Sequence, residues 1–191
     1  NPLDVIGSGP TVPDPTTFQD AVAILERYAL WGEIPAAVRH HLEMGVNGKI
    51  PETPKSLPAS FHARVIGDNS TAREAAASTA TQLGYEVIHW PTPIEGEARE
   101  VGRFFARWAL QQKEQHPAHP ICLIAGGEPV VSRIAANGKG GRCQELVLGA
   151  LTQVAGQCLE GLCLLAAGTD GEDGPTDAAG AFLDEEVQRK A

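Results

Sequence analysis

Apolar and polar residues along the first part of the chain follow a helical period. From Phe18 onward the apolar residues recur three or four positions apart, which predicts a helix capped by Thr16 or Thr17. A second, shorter helix is predicted after Pro35, in the sequence AAVRHHLEM. The flanking segments are rich in glycine and proline and predict loops. The chain therefore begins with a short helical segment between loops.

From Phe61 onward, short apolar runs alternate with helical segments. The runs FHARVIG, YEVIHW, PICLIAGG and GLCLLAAG predict strands, with EPVVSRIAA as an edge strand or hairpin. Helices are predicted between the runs, and we expect Ser70 to cap the first of these and Gly84 to end it. A further short helix is predicted in DAAGAFLDEEV, which follows the last run.

Strands without strict alternation, separated by helices, indicate a mostly parallel sheet that is covered on both faces. The pattern therefore predicts an α/β fold, a Rossmann-like three-layer sandwich. We assign residues 59–191 to this α/β domain and residues 1–58 to the helical interdomain segment before it.

Composition excludes several classes of partner. The chain has 15 Lys and Arg against 24 Asp and Glu, a formal net charge of −9, which repels nucleic acid and acidic membrane surfaces. Its apolar runs are shorter than the roughly 18 to 20 residues that span a bilayer, so we expect a cytoplasmic protein. The four cysteines lack a C-x-x-C pair and lie among apolar residues, which predicts buried reduced thiols.

Glycine-bearing loops follow the predicted strands, where ligands bind in open α/β sheets. In the segment GKGG at residues 138–141, the glycine turn, unshielded backbone N–H groups precede a helix N-terminus, beside Lys139 and Arg142. This arrangement predicts a phosphate-sized electropositive site. Its spacing matches neither the P-loop nor the dinucleotide fingerprint. A flexible hairpin with two solvated cations stays open as the alternative.

The segment AGTDGEDGPTD at residues 167–177, the acidic loop, has the opposite charge. Asp170 directly follows a predicted strand, and Asp173 and Asp177 come soon after it. Carboxylates in such positions could bind Mg²⁺ or take a proton from a substrate hydroxyl. The alternative is that Asp177 and Thr176 cap a short helix and that the rest is a solvated turn.

Two other loops carry candidate ligand-binding groups. The segment DVIGSGPTVPDP could present backbone N–H groups and hydroxyls to an anion, through Asp4, Ser8, Gly9 and Thr11. In GGEP, Glu128 lies at another predicted strand end, where it could contact a ligand or close a turn.

The segments DVIGSGPTVPDP, AGGEP, GGRCQE and AGTDGEDGPTDAAGA, in this order, resemble the class II glycerate kinases with their C-terminal MOFRL domain. The resemblance covers nearly the whole chain. It implies transfer of the γ-phosphoryl group of ATP to the 2-hydroxyl of D-glycerate, with Mg²⁺. Such transfer requires an electropositive clamp, a metal ion on the phosphates and a group that orients the attacking hydroxyl.

The resemblance also implies roles for individual residues. Arg142 would be the cationic clamp, Asp170 the acid that meets substrate or metal, and Asp4 a third catalytic group. Asp173 would join Asp170 at the metal. The remaining residues would line the phosphate and glycerate sites: Ser8, Gly9, Thr11, Glu128, Lys139, Gly140, Gly141 and Asp177.

The chain departs from the family pattern in two ways. Cys143 stands where the family has asparagine, and a thiol cannot replace an amide's donors and acceptor. The family's N-terminal domain, with its catalytic lysine, is expected upstream of Asn1, so we expect a fragment that is nearly inactive alone. Homodimerisation is left open. Two other hypotheses also stay open: an NAD(P)H-dependent hydroxypyruvate reductase and a non-catalytic α/β ligand-binding module.

Overall fold

The computed structural model describes residues 3–4, 11–132 and 138–191 of the chain. It divides into two compact units, Asn1–Ile66 and Gly67–Ala191. The predicted boundary between residues 58 and 59 stays a prediction. Within the described ranges, none of the helices has the length and apolar character needed to cross a membrane.

The first unit contains two helices, α1 (Phe18–Arg27) and α2 (Ala36–Val46). Thr17, rather than Thr16, caps α1: its hydroxyl accepts the Asp20 N–H at 3.2 Å, and its own N–H donates to the Asp20 carboxylate at 2.8 Å. This reciprocal pair is a capping box. Both helices were predicted from the sequence and both are confirmed.

The second unit opens with helix α3 (Asn69–Gln82), strand β1 (Glu86–His89), helix α4 (Ala98–Gln115) and strand β2 (Ile121–Ile124). Strands β1 and β2 pair in parallel, with Val87 opposite Cys122, as the predicted βαβ unit requires. The predicted cap of α3 was wrong, because the side chain of Asp68, not Ser70, accepts the Thr71 N–H at 2.8 Å. Gly84 follows the helix with φ of +87°, as expected for its end.

The strand predicted in FHARVIG is wrong, because residues 61–67 are not in a strand. Ile66 is 95% exposed, which is not the environment of a covered strand. A short apolar run does not determine whether a neighbouring strand will pair with it. The strand predicted in EPVVSRIAA is reduced, in its described residues 128–132, to one isolated parallel bridge of Val130 with Glu97, and residues 133–137 lie outside the described part.

The remaining elements are α5 (Arg142–Gln153), β3 (Leu164–Ala167), β4 (Gly180–Leu183) and α6 (Glu185–Lys190). The helix predicted across DAAGAFLDEEV was wrong in its first part, because residues 180–183 form β4, antiparallel to β3. Leu183 is 1% exposed and lies in the core, while its neighbour Phe182 is exposed. This alternation suits a strand and overrides the helix propensity of alanine and leucine.

The core of the second unit lies where α4, α5 and β4 meet. Helices α4 and α5 approach closely at Gly102 and Gly149, where an added Cβ would collide with the backbone of the facing helix. The close approach lets small and branched side chains fill the interface without voids. The core comprises Ala98, Ala106, Leu146, Val147, Ala150, Val154, Leu159 and Leu183.

The α/β class predicted from the sequence is confirmed, but its finer arrangement is not. In the described residues the strands form two separate two-stranded sheets, β1 with β2 and β3 with β4. The cysteines are all free, as predicted, but the prediction that they are buried was wrong: Cys122 and Cys143 are partly exposed, and Cys158 and Cys163 are exposed.

Candidate active site

The glycine turn leads directly into α5, and its last residue is the N-cap of that helix. Gly141 has no side chain to accept a hydrogen bond from the first helical turn. An added Cβ at Gly141 would collide with the carboxylate and backbone of Asp173. The turn therefore needs glycine here because the acidic loop packs against its backbone.

Asp173 supplies the cap that Gly141 lacks. One carboxylate oxygen accepts the Cys143 N–H at 2.9 Å, and the other accepts the Gln144 N–H at 2.8 Å. The sequence analysis expected the first N–H groups of α5 to be available to an anion. In the structure two of them already bind Asp173, so an anion at this place would use the N–H groups of the turn itself.

The acidic loop is held against α5 by further polar contacts. The Gln144 side-chain amide donates to the Thr176 hydroxyl at 3.1 Å and to the Asp173 carbonyl at 3.3 Å. The Thr176 hydroxyl in turn donates to the Asp173 carbonyl at 2.9 Å. On the other side, Gly174 packs so closely on Gly140 that a Cβ would collide with its carbonyl oxygen. The acidic loop is thus packed against both the glycine turn and the start of α5.

Asp170 lies in the exposed part of the acidic loop. Its side chain is exposed, and one carboxylate oxygen accepts the Glu172 N–H at 3.2 Å within the loop. Asp177 is exposed as well, and it does not cap a helix, because the chain enters β4 at Gly180. The alternative of a capped helix after the acidic loop is therefore wrong.

Arg142, the first residue of α5, pairs with Glu128. Its guanidinium Nη1 lies 2.5 Å from the Glu128 carboxylate, and the two side chains are 50% and 78% exposed. The hydrogen bond to Glu128 raises the pKa of Arg142. Glu128 is itself positioned by the backbone, because its N–H donates to the Ile94 carbonyl at 2.9 Å. A cation at the first residue of a helix opposes the helix dipole, and Glu128 offsets that effect.

Burial and the charges near the start of α5 shift the pKa of the Cys143 thiol. Burial raises the pKa of Cys143 to about 11, and the Asp173 carboxylate acts in the same direction. The charge of Arg142 lowers this pKa and that of Asp170 raises it. Arg142 is the first residue of α5, and Asp170 lies three positions before Asp173, whose carboxylate caps the same helix start, so the predicted clamp and the predicted acid belong to segments that meet at this end of the helix. A protonated thiol is a poor nucleophile, so Cys143 does not have the environment of a reactive cysteine.

The predicted site residues divide into three groups. The first group is assembled around the start of α5 in the second unit: Glu128, Lys139, Gly140, Gly141, Arg142, Asp170, Asp173 and Asp177. Asp4 and Thr11 are exposed residues of the first unit. Ser8 and Gly9 lie outside the described residues.

Gln144 and Thr176 were not predicted as part of the site. Their side chains join the acidic loop to α5 over a sequence separation of 32 residues. Gln144 lies two positions after Arg142 and therefore on a different side of α5, so its spacing gave no signal for this contact. Nothing in the sequence identified its partner.

The metal prediction for Asp170 and Asp173 stays a prediction. Across residues 3–4, 11–132 and 138–191, no group of three or more His, Cys, Asp or Glu side chains could hold a metal ion. Both oxygens of Asp173 already accept backbone N–H groups. Asp170 is exposed and suits Mg²⁺, which often takes only one or two protein carboxylates together with waters and phosphate oxygens.

Family comparison agrees with the motifs. Residues 121–191 match the MOFRL family, and residues 1–43 match a domain of unknown function, DUF4147. Besides these matches, the chain is similar over nearly its whole length to relatives named glycerate 2-kinase. The resemblance inferred from the motifs is confirmed.

The relatives carry specific names. The glycerate 2-kinase of Pyrococcus horikoshii is 42% identical over 190 residues, which are 98% of this chain and 42% of the relative. The D-glycerate 2-kinase of Thermotoga maritima is 40% identical over 95% of this chain and 41% of its own length. The crystal structure of glycerate kinase from Thermotoga maritima superposes with a TM-score of 0.76 at 39% identity, over 98% of this chain and 42% of that one. The chain thus spans about two fifths of the length of these relatives.

Proposed function

We propose that this chain is the C-terminal portion of a glycerate 2-kinase, which transfers the γ-phosphoryl group of ATP to the 2-hydroxyl of D-glycerate. The observation that carries the proposal is the packing of the glycine turn, which leads to Arg142, on the acidic loop, which carries Asp170 and caps α5 through Asp173. The names of the relatives supply the substrate class. We also propose that the whole enzyme has the Rossmann-like three-layer arrangement predicted from the sequence.

Arg142 provides positive charge for the transferring phosphoryl group. Phosphoryl transfer depends mainly on positioning and on neutralising the charge spread over the phosphate oxygens. The Arg142 side chain is half exposed and bound on one side by Glu128, so its remaining N–H groups can reach an incoming anion. Lys139 adds a second positive charge, and the backbone of Gly140 lets a phosphate approach closely, because the place of its missing side chain is nearly open.

Asp170 orients the 2-hydroxyl of glycerate and accepts its proton. A carboxylate that is exposed at the end of a strand can reach a substrate hydroxyl without a large desolvation cost. Asp177 completes the acidic side of the glycerate site. Asp4, Ser8, Gly9 and Thr11 enter the proposal through the family resemblance alone, as polar groups from the loop that precedes α1.

Mg²⁺ fits Asp170 better than Asp173. The single exposed carboxylate of Asp170 can share the ion with phosphate oxygens and waters, while the two oxygens of Asp173 are committed to α5. When bound, the ion would supply positive charge on the phosphate oxygens.

The test uses a hybrid enzyme, in which this chain replaces the matching segment of the Pyrococcus horikoshii relative. The hybrid is incubated with ATP and D-glycerate, and ³¹P NMR identifies the product. We expect 2-phosphoglycerate, and we expect Arg142→Ala to lower kcat/KM about 10³-fold or more, as for other transition-state arginines. Arg103→Ala is the matched control, because Arg103 also forms an exposed ion pair, with Glu100 at 2.7 Å.

Three results would contradict the proposal. A hybrid that binds ATP without forming a phosphorylated product would favour a non-catalytic module. Oxidation of NADH in the presence of hydroxypyruvate would favour a reductase. Equal losses for Arg142→Ala and Arg103→Ala would remove Arg142 from the site.

A further inference from the structure

Asp173 is the only polar or charged side chain classed as buried in the described part of the chain, with 4% of its surface exposed. Burying a carboxylate costs several kcal/mol unless hydrogen bonds replace its water. An uncharged side chain would be easier to bury at this position, and the contacts of Asp173 explain how a charged one is accommodated.

The Asp173 carboxylate joins two segments that are far apart in the sequence. It caps α5 through the N–H groups of Cys143 and Gln144, which lie 30 and 29 positions earlier. A helix is usually capped by the residue that precedes it, but Gly141 cannot do so. The start of α5, and with it the direction of Arg142, thus depends on the acidic loop being in place.

The same contact fixes Asp170. Only three positions separate Asp170 from Asp173, the buried anchor. Asp170 lies in a turn that is closed by the hydrogen bond from the Gly171 N–H to the Gly168 carbonyl, at 3.1 Å, and its carboxylate accepts the Glu172 N–H at 3.2 Å. The Thr176 hydroxyl and the Gln144 amide hold the other side of the anchor. Movement of Asp173 would therefore displace Asp170 and the start of α5 relative to each other.

We propose that Asp173 is a positioning residue, whose buried carboxylate holds Asp170 and Arg142 in register for phosphoryl transfer. This rests on the proposed function, and it gives Asp173 a role other than the metal ligation expected from the sequence. Its carboxylate does not contact substrate. It acts through the two residues that do.

The test compares Asp173→Asn with Glu172→Gln, which makes the same change from carboxylate to amide at the exposed neighbour in the loop. In this chain, hydrogen exchange at the Cys143 and Gln144 amides is followed by NMR. In the hybrid enzyme, kcat and KM for ATP are measured separately. Thr176→Val is a milder second variant, since it weakens the anchor without touching the carboxylate.

We expect Asp173→Asn to speed exchange at one or both amides at least tenfold and to lower kcat about 10²-fold, with KM for ATP changed less than about threefold. Thr176→Val should change both quantities in the same direction by less, and Glu172→Gln should change neither.

Unchanged exchange in Asp173→Asn would overturn the anchoring role. Faster exchange with an unchanged kcat would overturn the positioning role. A wild-type hybrid without kinase turnover would refute the proposed function instead, and the exchange measurement would still decide whether Asp173 anchors the loop.

Discussion

Replacing Gly141 with alanine adds one methyl group where the glycine turn contacts the acidic loop. The new Cβ would lie closer to the Asp173 carboxylate than the 3.0 Å that real Cβ atoms respect. The loop must move by roughly 1 Å to restore an ordinary carbon contact. The backbone itself tolerates alanine, because φ at Gly141 is −140°.

The magnitude follows from opposing terms. Movement of Asp173 weakens one of its two short hydrogen bonds to α5, and a bond to a charged group is worth about 1.5–3 kcal/mol. Alanine recovers about 0.4–1 kcal/mol by reducing the freedom of the unfolded chain. We expect the variant to lose about 0.5–2.6 kcal/mol of unfolding free energy.

The assay is urea denaturation followed by circular dichroism. With a urea m-value of about 2 kcal/mol/M, the midpoint should fall by roughly 0.3–1.3 M. Gly67→Ala is the matched control, because a Cβ there would meet nothing within 4 Å, and its midpoint should stay equal or rise slightly. A Gly141→Ala midpoint equal to or above that of the wild type would refute the packing of turn against loop.

Three further predictions concern the core, the thiol and the ion pair. Leu159→Ala, at a fully buried position, should cost about 2–5 kcal/mol in urea denaturation, whereas Leu165→Ala, at a position 72% exposed, should stay within about 0.5 kcal/mol; equal losses would contradict the assigned core. The pKa of Cys143 is raised to about 11, so the folded state keeps a proton that the thiol of the unfolded chain loses above pH 9.0. The free energy of unfolding should therefore fall as pH rises from 9 to 11, and it should fall less in Cys143→Ala. Identical pH profiles for the two proteins would refute this prediction. Glu128→Gln should free the Arg142 guanidinium and tighten binding of inorganic phosphate in calorimetry, and unchanged or weaker binding would show that Glu128 does not compete for it.

Local patterns predicted the helices and some of the strands well. The helices predicted at α1, α4 and α5 are confirmed, because an amphipathic helix carries its own evidence over several turns. Local patterns failed where a segment becomes a strand only by pairing with another strand. The run before Asp68 has strand composition but forms no strand, and the segment at Phe182 has helix formers but pairs with β3.

In the candidate site, too, the sequence identified the local features but not the contacts between distant segments. Charge and glycine content identified both the turn that leads to Arg142 and the loop that carries Asp170. The sequence could not show that Asp173 turns inward to cap α5, because that depends on a contact across 30 residues. Nor could it show that Arg142 pairs with Glu128, since this contact joins the start of α5 to a residue 14 positions earlier and depends on the tertiary structure.

The claim that Arg142 and Asp170 serve a single site is tested most directly by a double-mutant cycle in the hybrid enzyme. Values of kcat/KM for D-glycerate are measured for the wild type, Arg142→Ala, Asp170→Asn and the double variant. Residues that act as a unit lose little more together than the worse single variant alone, and we predict this result. Losses that multiply, as they do for independent and distant residues, would contradict the account.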